Sequence, residues 1–167
     1  MGVSRGATIE EIGQVYEQRF ANFLRTATAI ADSTEEGRDA VHDAFVSAVR
    51  SRKSYRGSGS VEAWLWRTVV TSALKRRRSG RRTAATDSAP QDAIWTESPA
   101  GEYPEIRAAV AGLPERQRHV LFLRYYADLD YRSIAAALDI EVGTVSAALA
   151  AAHTTVRKAF EEVQSHG

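Results

Sequence analysis

The densest chemistry in this chain is cationic. In LKRRRSGRR, the residues Lys75, Arg76, Arg77, Arg78, Arg81 and Arg82 crowd the end of a helical segment. Cations at a helix C-terminus complement its dipole, but this run exceeds what capping requires. Neutralising phosphates is the more economical account, because each such contact releases a condensed counterion. Just upstream, SYRGSGSVEAWLW sets Tyr55, Arg56, Trp64 and Trp66 around a glycine-bearing loop. Aromatic rings beside cations suit unpaired bases, whose faces stack for about 1–3 kcal/mol each. The competing account makes Tyr55 and Trp64 core residues of a small helical domain. It is the better one for Trp64 and evenly matched for the loop.

Other chemistry is sparse. His42, His119, His153 and His166 are far apart and have no metal-ligand spacing. No glycine-rich phosphate loop or nucleophile elbow occurs. Glu10 with Glu11 and Glu161 with Glu162 read as solvated helix faces. An enzyme is therefore not expected, and no catalytic residue, metal or cofactor is assigned. The chain has no cysteine, which excludes disulfides and thiolate metal sites and fits a reducing cytoplasm. The start MGVSRGATIEEIGQ lacks the apolar core of a signal peptide, and no run of about 18 apolar residues occurs. A soluble cytoplasmic protein without membrane insertion is expected.

The net charge of +1 hides an asymmetry. Residues 1–86 carry 15 Lys and Arg against 9 Asp and Glu, a balance of +6. Residues 87–167 carry 7 against 12, a balance of −5. A polyanionic partner should thus be held mainly by the first half.

The elements that would position these groups are helical throughout, because no segment shows strand alternation. The first helix is expected from about Thr8 to Ala31, with Ile9, Ile12, Tyr16, Phe20, Phe23, Leu24 and Ala27 as its apolar stripe. A second, capped within DSTEEGRD, carries Ala40, Val41, Ala44, Phe45, Ala48 and Val49 to about Arg52. RGSGS breaks it, and Ser60 caps a third helix that should bury Trp64, Leu65, Thr68, Val69 and Leu74. From Ser79 to about Gly101 the composition is that of a linker, with Ile94 and Trp95 its only large apolar residues. Beyond it come a short helix to Ala111, a helix begun at Pro114, a short helix capped by Asp130, and a long final helix. Short helix, tight turn and second helix make a helix-turn-helix pattern. Ile134, Ala135, Leu138, Ile140, Val142 and Val145 should pack its two helices together, and Val145, Leu149, Ala152, Val156 and Phe160 should continue the core face. The expected fold is all-α: a domain over 1–80, a flexible linker over 81–101 and a helix-turn-helix domain over 102–167.

Taken together, Asp39–Arg78 and Leu113–Val145 resemble the two blocks of an extracytoplasmic-function sigma factor. The first resembles that family's acidic, Gln-containing helix, its F-R-G-x-x-S-F loop and its Trp-Leu-Tyr-Arg helix. The second resembles the helix-turn-helix domain almost position for position. The resemblance implies a transcription initiation factor that recognises and melts promoters. Its implied partners are core RNA polymerase (the β′ coiled coil and the β subunit), promoter DNA and an anti-sigma factor. Asp39, Val41, His42, Asp43, Phe45 and Val46 would face the polymerase. Tyr55, Arg56, Ser60, Trp64, Arg67, Thr71, Lys75, Arg76 and Arg77 would serve the −10 element. Arg132, Ser133, Val142, Gly143, Thr144, Ser146 and Ala147 would make weak −35 contacts.

The chain departs from the family pattern in several places. Ala40, His42, Ser47 and Val49 replace the usual Leu, Gln, Arg and Trp. Thr71 stands for Asn, Val70 for a common cation, Ser133 for Glu and Asp139 for Gly. The final helix departs furthest: where the family typically has Lys, Ser, Arg, Leu and then more basic residues, this chain has Ser146, Ala147, Ala148, Leu149, Ala150 and Ala151, followed by His153 and Thr155. Alanine can touch a thymine methyl and helix amides can bind phosphate, but neither replaces several cationic contacts. Two other functions compete with promoter-directed initiation. A plain helix-turn-helix regulator is disfavoured by the acidic second half. A sigma-like interaction protein, whose second domain binds a protein instead of DNA, draws on the bare Ala-rich helix.

Overall fold

The computed structural model describes residues 6–57, 59–83 and 103–166. The chain divides into two compact units, Met1–Asp87 and Ser88–Gly167. Among the described residues every regular element is helical, as the periodicity requires.

The first unit is three mutually packed helices, α1 (Ile9–Ala31), α2 (Thr34–Ser51) and α3 (Val61–Thr83), with a short 3₁₀ turn at Arg52–Ser54. A capping box starts α1: Thr8 Oγ1 accepts from the Glu11 amide at 3.1 Å, and Glu11 accepts from the Thr8 amide at 2.8 Å. Asp32 ends it in the left-handed region at φ 64°, where Asp is tolerated better than most residues. Ser33 then caps α2 through the Glu36 amide. The α1–α2 crossing is close because it is built from small residues: Ala27, Ala29, Ala31, Ala40, Ala44 and Ala48 are all buried. Gly37 sits against Thr28, where an added Cβ would lie within 2.6 Å of the Thr28 backbone nitrogen.

The buried side of α3 is Leu65, Trp66, Val69, Val70 and Ala73. This corrects the expected face by one residue. Trp64, Thr68 and Leu74 are only half-buried, whereas Trp66 is fully enclosed with its ring 4.3 Å from that of Phe23. Enclosing such a ring removes about 150–250 Å² from water, worth at most about 4–6 kcal/mol. On α1, Ile9, Tyr16 and Phe20 lie on the exposed side of the expected stripe, and burial shifts to Thr26–Ala31. The helix α3 also runs through Thr83, so residues 81–83 of the expected linker are helical. The rest of that linker, with Ile94 and Trp95, lies outside the described residues.

In the second unit α4 (Pro104–Ala111), α5 (Glu115–Tyr125) and α6 (Tyr131–Leu138) each pack on the long α7 (Val142–Ser165). Leu113, Val120, Phe122, Leu123, Leu129, Ile134, Val145, Leu149 and Ala152 form its core. The α6–α7 pair turns through 104°, within the range of a helix-turn-helix. Asp139 supplies the turn at φ 55°, ψ 51°, doing the work of the family's glycine. Two expected core residues fall outside it: Val142 is exposed at the start of α7, and Phe160 is exposed near its end. No single helix among the described residues is long and apolar enough to cross a membrane.

The tightness of the α1–α2 crossing is testable. Gly37→Ala forces a methyl into backbone with no flexible neighbour to give way, so a loss of about 3 kcal/mol is expected in urea unfolding. A midpoint equal to that of the natural chain would show that the crossing can open freely.

Candidate nucleic-acid interface

Two layers of cations share the end of α3, and packing separates them. Arg77 lies on the buried side, 8% exposed. Its guanidinium donates to the Ile30 carbonyl at 3.0 Å and pairs with Asp32 at 3.1 Å. Ile30 is in the last turn of α1, which has no basic residue of its own, and its carbonyl is one that a helix leaves unpaired. Arg77 thus neutralises a helix C-terminus from the neighbouring helix. This corrects its assignment as a phosphate contact.

Arg76 is held on the other side. It reaches Glu36 at 2.9 Å, Asp39 at 3.5 Å and Asp43 at 2.7 Å, a fork across three carboxylates of α2. The hydrogen bonds it donates to Glu36, then to Asp43, raise its pKa further above the ordinary arginine value. Its guanidinium is thus engaged by α2 while 28% of the side chain stays exposed. Glu36 was not among the expected residues. Its spacing from Asp39 and Asp43, three and seven positions, places all three on one helix face.

The outward layer is Arg67, Thr71, Lys75 and Arg78, all exposed. At intervals of four, four and three residues they form one stripe along about 16 Å of helix. Arg78 belongs to this stripe although only the general cation run pointed to it. The Thr71 hydroxyl donates to the Arg67 carbonyl at 2.7 Å, which leaves its oxygen as an acceptor.

At the other end of α3, Ser60 caps the helix through the Ala63 amide at 3.0 Å. The preceding loop turns on Gly57 at φ 75° and Gly59 at φ 82°, conformations that side-chain-bearing residues rarely adopt. Tyr55 donates its hydroxyl to the Gly59 carbonyl at 2.6 Å, and its ring lies 5.6 Å from that of Trp64. Trp64, half-buried, is the aromatic that borders the loop, whereas Trp66 belongs to the core. Arg56 is exposed beside them.

Of the residues expected to face a protein partner, Asp39, His42, Asp43 and Val46 are exposed on α2. Phe45 is half-buried, with its ring edge-on to Tyr16 at 4.4 Å. Val41 is 2% exposed and packs inward, so it is corrected to a core residue. His42, Asp43 and Val46 border an open groove of about 890 Å³ whose opposite wall carries Lys75 and Arg76.

In the second unit, Asp130 caps α6 by accepting from the Ser133 amide at 2.7 Å. Arg132, Val142, Gly143, Ser146 and Ala147 are exposed, with Thr144 and Ser133 half-exposed. They share the surface around the start of α7, where no side chain caps the first turn. The outer face of α7 then carries Ala150, His153 and Thr154, and reaches a cation only at Arg157. His153 is engaged by the Tyr125 hydroxyl at 2.7 Å. Beside that pair is an apolar hollow of about 320 Å³, lined by Val110, Leu121, Phe122, Tyr126 and Val156.

Comparison with known proteins matches both units. A family model described as Sigma-70 region 2 matches residues 16–83, and one described as Sigma-70, region 4 matches residues 103–153. The RNA polymerase sigma-H factor of Pseudomonas aeruginosa is 28% identical over 143 residues, spanning 76% of this chain and 74% of that protein. The ECF RNA polymerase sigma-E factor of Escherichia coli is 32% identical over 126 residues, spanning 64% of each. Among solved structures, the sigma factor RpoE in complex with the anti-sigma factor NepR from Bartonella quintana aligns with a TM-score of 0.72 at 17% identity, covering 92% of this chain and 98% of that one. CnrH in complex with the cytosolic domain of CnrY aligns with a TM-score of 0.69 at 17% identity, covering 93% and 91%. At such identity these structures speak to the fold alone.

The two cation layers should separate on mutation. Arg77→Gln is expected to cost about 2–3 kcal/mol of stability, because a buried carbonyl and Asp32 lose a charged donor. Lys75→Gln should leave the unfolding midpoint unchanged while flattening the salt dependence of DNA binding by about 0.7–0.9 in log–log slope. Equal effects on both measurements would contradict the division. Asp130 offers a second test. The Ser133 amide, then its hydroxyl, hold the Asp130 carboxyl below its ordinary value. A depressed folded pKa stabilises above the unfolded pKa and is lost as pH falls through the folded one. Asp130→Ala should therefore cost about 1 kcal/mol at neutral pH, and the gap to the natural chain should shrink below about pH 4. A gap that persists unchanged in acid would show that the charge contributes nothing.

Proposed function

The chain belongs to the sigma-70 family of transcription initiation factors, and from that premise we propose that it binds core RNA polymerase and directs promoter recognition and opening chiefly through its first domain. It acts by binding, with no covalent step of its own. The observation that carries this reading is the division of labour along α2 and α3. A carboxylate-lined face with Val46 and Phe45 suits a basic, amphipathic helix such as the β′ coiled coil. The exposed stripe Arg67, Thr71, Lys75 and Arg78 suits a phosphate backbone, and the loop from Tyr55 to Ser60 lies at the end of the same helix.

Melting follows from that arrangement. Extruding a base from the duplex costs a few kcal/mol, which contacts in a protein pocket must offset. The loop bordered by Tyr55, Arg56 and Trp64 is the natural receptacle for the base. The cation stripe along α3 would track the backbone that the extruded base leaves behind. In the second domain, Arg132 and the open first turn of α7 can hold phosphate, while Val142 and Ala147 offer only apolar contact to a base edge. The −35 contribution is accordingly small.

A second reading has its own support. The apolar hollow beside Tyr125 and His153, together with the outer face of α7 that carries no charge from Val142 to Thr155, favours a protein partner for the second domain. Two of the structural relatives are seen in complexes, one of them with an anti-sigma factor by name. An anti-sigma factor is the partner class this surface would take.

Transcription from a promoter library with purified core polymerase tests the main reading. The expected result is initiation, dependent on the added chain, from a subset of promoters that share a −10 sequence. Absence of both polymerase binding and initiation would overturn it in favour of a purely protein-binding role.

A further inference from the structure

Tyr55 raises a question that base capture alone does not answer. Its hydroxyl is already donated to the Gly59 carbonyl at 2.6 Å, and its ring already rests beside Trp64. An aromatic offered to DNA as a stacking platform has no need of a hydroxyl.

Its placement explains it. The loop turns at Gly57 and Gly59, both in the left-handed region. Glycine loses more conformational freedom on ordering than any other residue, so such a loop is costly to hold in one shape. Among its described residues, two further contacts lie at its ends. The Tyr55 amide meets the Arg52 carbonyl at a long 3.4 Å, and Ser60 spends its oxygen on the cap of α3. The Tyr55 hydroxyl closes the loop across both glycines, while its ring fixes that closure to the first turn of α3.

We propose that Tyr55 is a positioning residue: its hydroxyl locks the base-capturing loop into shape before DNA arrives, so that less ordering is left to occur on binding. The proposal rests on the promoter-opening role given above. Its physical content is preorganisation, in which affinity rises because an ordering cost has already been met. A neutral hydrogen bond of ordinary net strength corresponds to a change of about three- to ten-fold.

The test is Tyr55→Phe, which keeps the ring and removes one oxygen. Hydrogen exchange at the Gly57, Gly59 and Ser60 amides is measured on the full chain without DNA. Affinity is then measured on holoenzyme reconstituted with core polymerase, using single-stranded oligonucleotides selected by the natural holoenzyme from a random pool. The expected outcome is faster loop exchange, an affinity about three- to ten-fold lower, and unchanged polymerase binding. The salt slope should stay constant, whereas Arg56→Gln should lower it by about 0.7. Loop exchange equal to the natural chain, or undiminished affinity, overturns the positioning role. Should the natural holoenzyme select no oligonucleotide, the promoter-opening reading fails instead, and the exchange result still decides whether the hydroxyl closes the loop.

Discussion

The rotational setting of α3 is the constraint on which the first domain depends. One helix must bury Trp66 against Phe23, present Arg67, Thr71, Lys75 and Arg78 outward, and begin at the loop that carries Tyr55. Successive residues are about 100° apart on a helix. A rotation by one residue would therefore exchange core and cation faces. Two arginines fix that setting at the far end. Arg77 reaches across to the last turn of α1, and Arg76 forks over three carboxylates of α2. The first lies in a buried position where its hydrogen bonds count. The second is more exposed, so each of its bonds is weak alone and the network matters more than any pair.

This setting changes the meaning of the cation run. Read as composition, LKRRRSGRR is an undivided block of positive charge. In the fold, Arg76 and Arg77 are internal brackets, and the outward charge runs back up the helix toward Arg67. The exposed cations Arg67, Lys75 and Arg78 are then aligned with α3 and lead back toward the loop at its start. The same acidic face that Arg76 partly neutralises is the one proposed to meet the polymerase. One side chain, Arg76, thereby ties the cationic helix α3 to the acidic face of α2.

Much of this was legible in the residues, and the exceptions have definite causes. Helix positions, the caps at Ser60 and Asp130 and the turn at Asp139 follow from local rules, and among the described residues the α-helices start close to where periodicity put them, with α3 running on past its expected end. Which way α3 faces did not follow. Trp64–Leu65–Thr68–Val69 and Leu65–Trp66–Val69–Val70–Ala73 both satisfy helical spacing, and Arg77 extends the second in disguise as a charged residue. Val41 was misplaced because an apolar residue between two acids can point either way. The partners of Arg76 and Arg77 were hidden because charge in a sequence does not reveal its partner; Asp32, Glu36 and Asp43 lie more than thirty positions away. In the second domain the bare face of α7 was visible from the start, whereas the hollow beside Tyr125 and His153 needed α4, α5 and α7 to be assembled.

The final helix thus has the core of a DNA-reading helix without its electrostatic outer face. The central claim is that the grip on the promoter lies with Tyr55 to Arg78 and owes little to α7. The most direct measurement compares initiation by the reconstituted holoenzyme from one active promoter and two derivatives, with either the −10 or the −35 element scrambled. The account predicts that scrambling the −10 element abolishes initiation, while scrambling the −35 element leaves most of it. A loss confined to the −35 derivative, or a larger loss there than at −10, would contradict it.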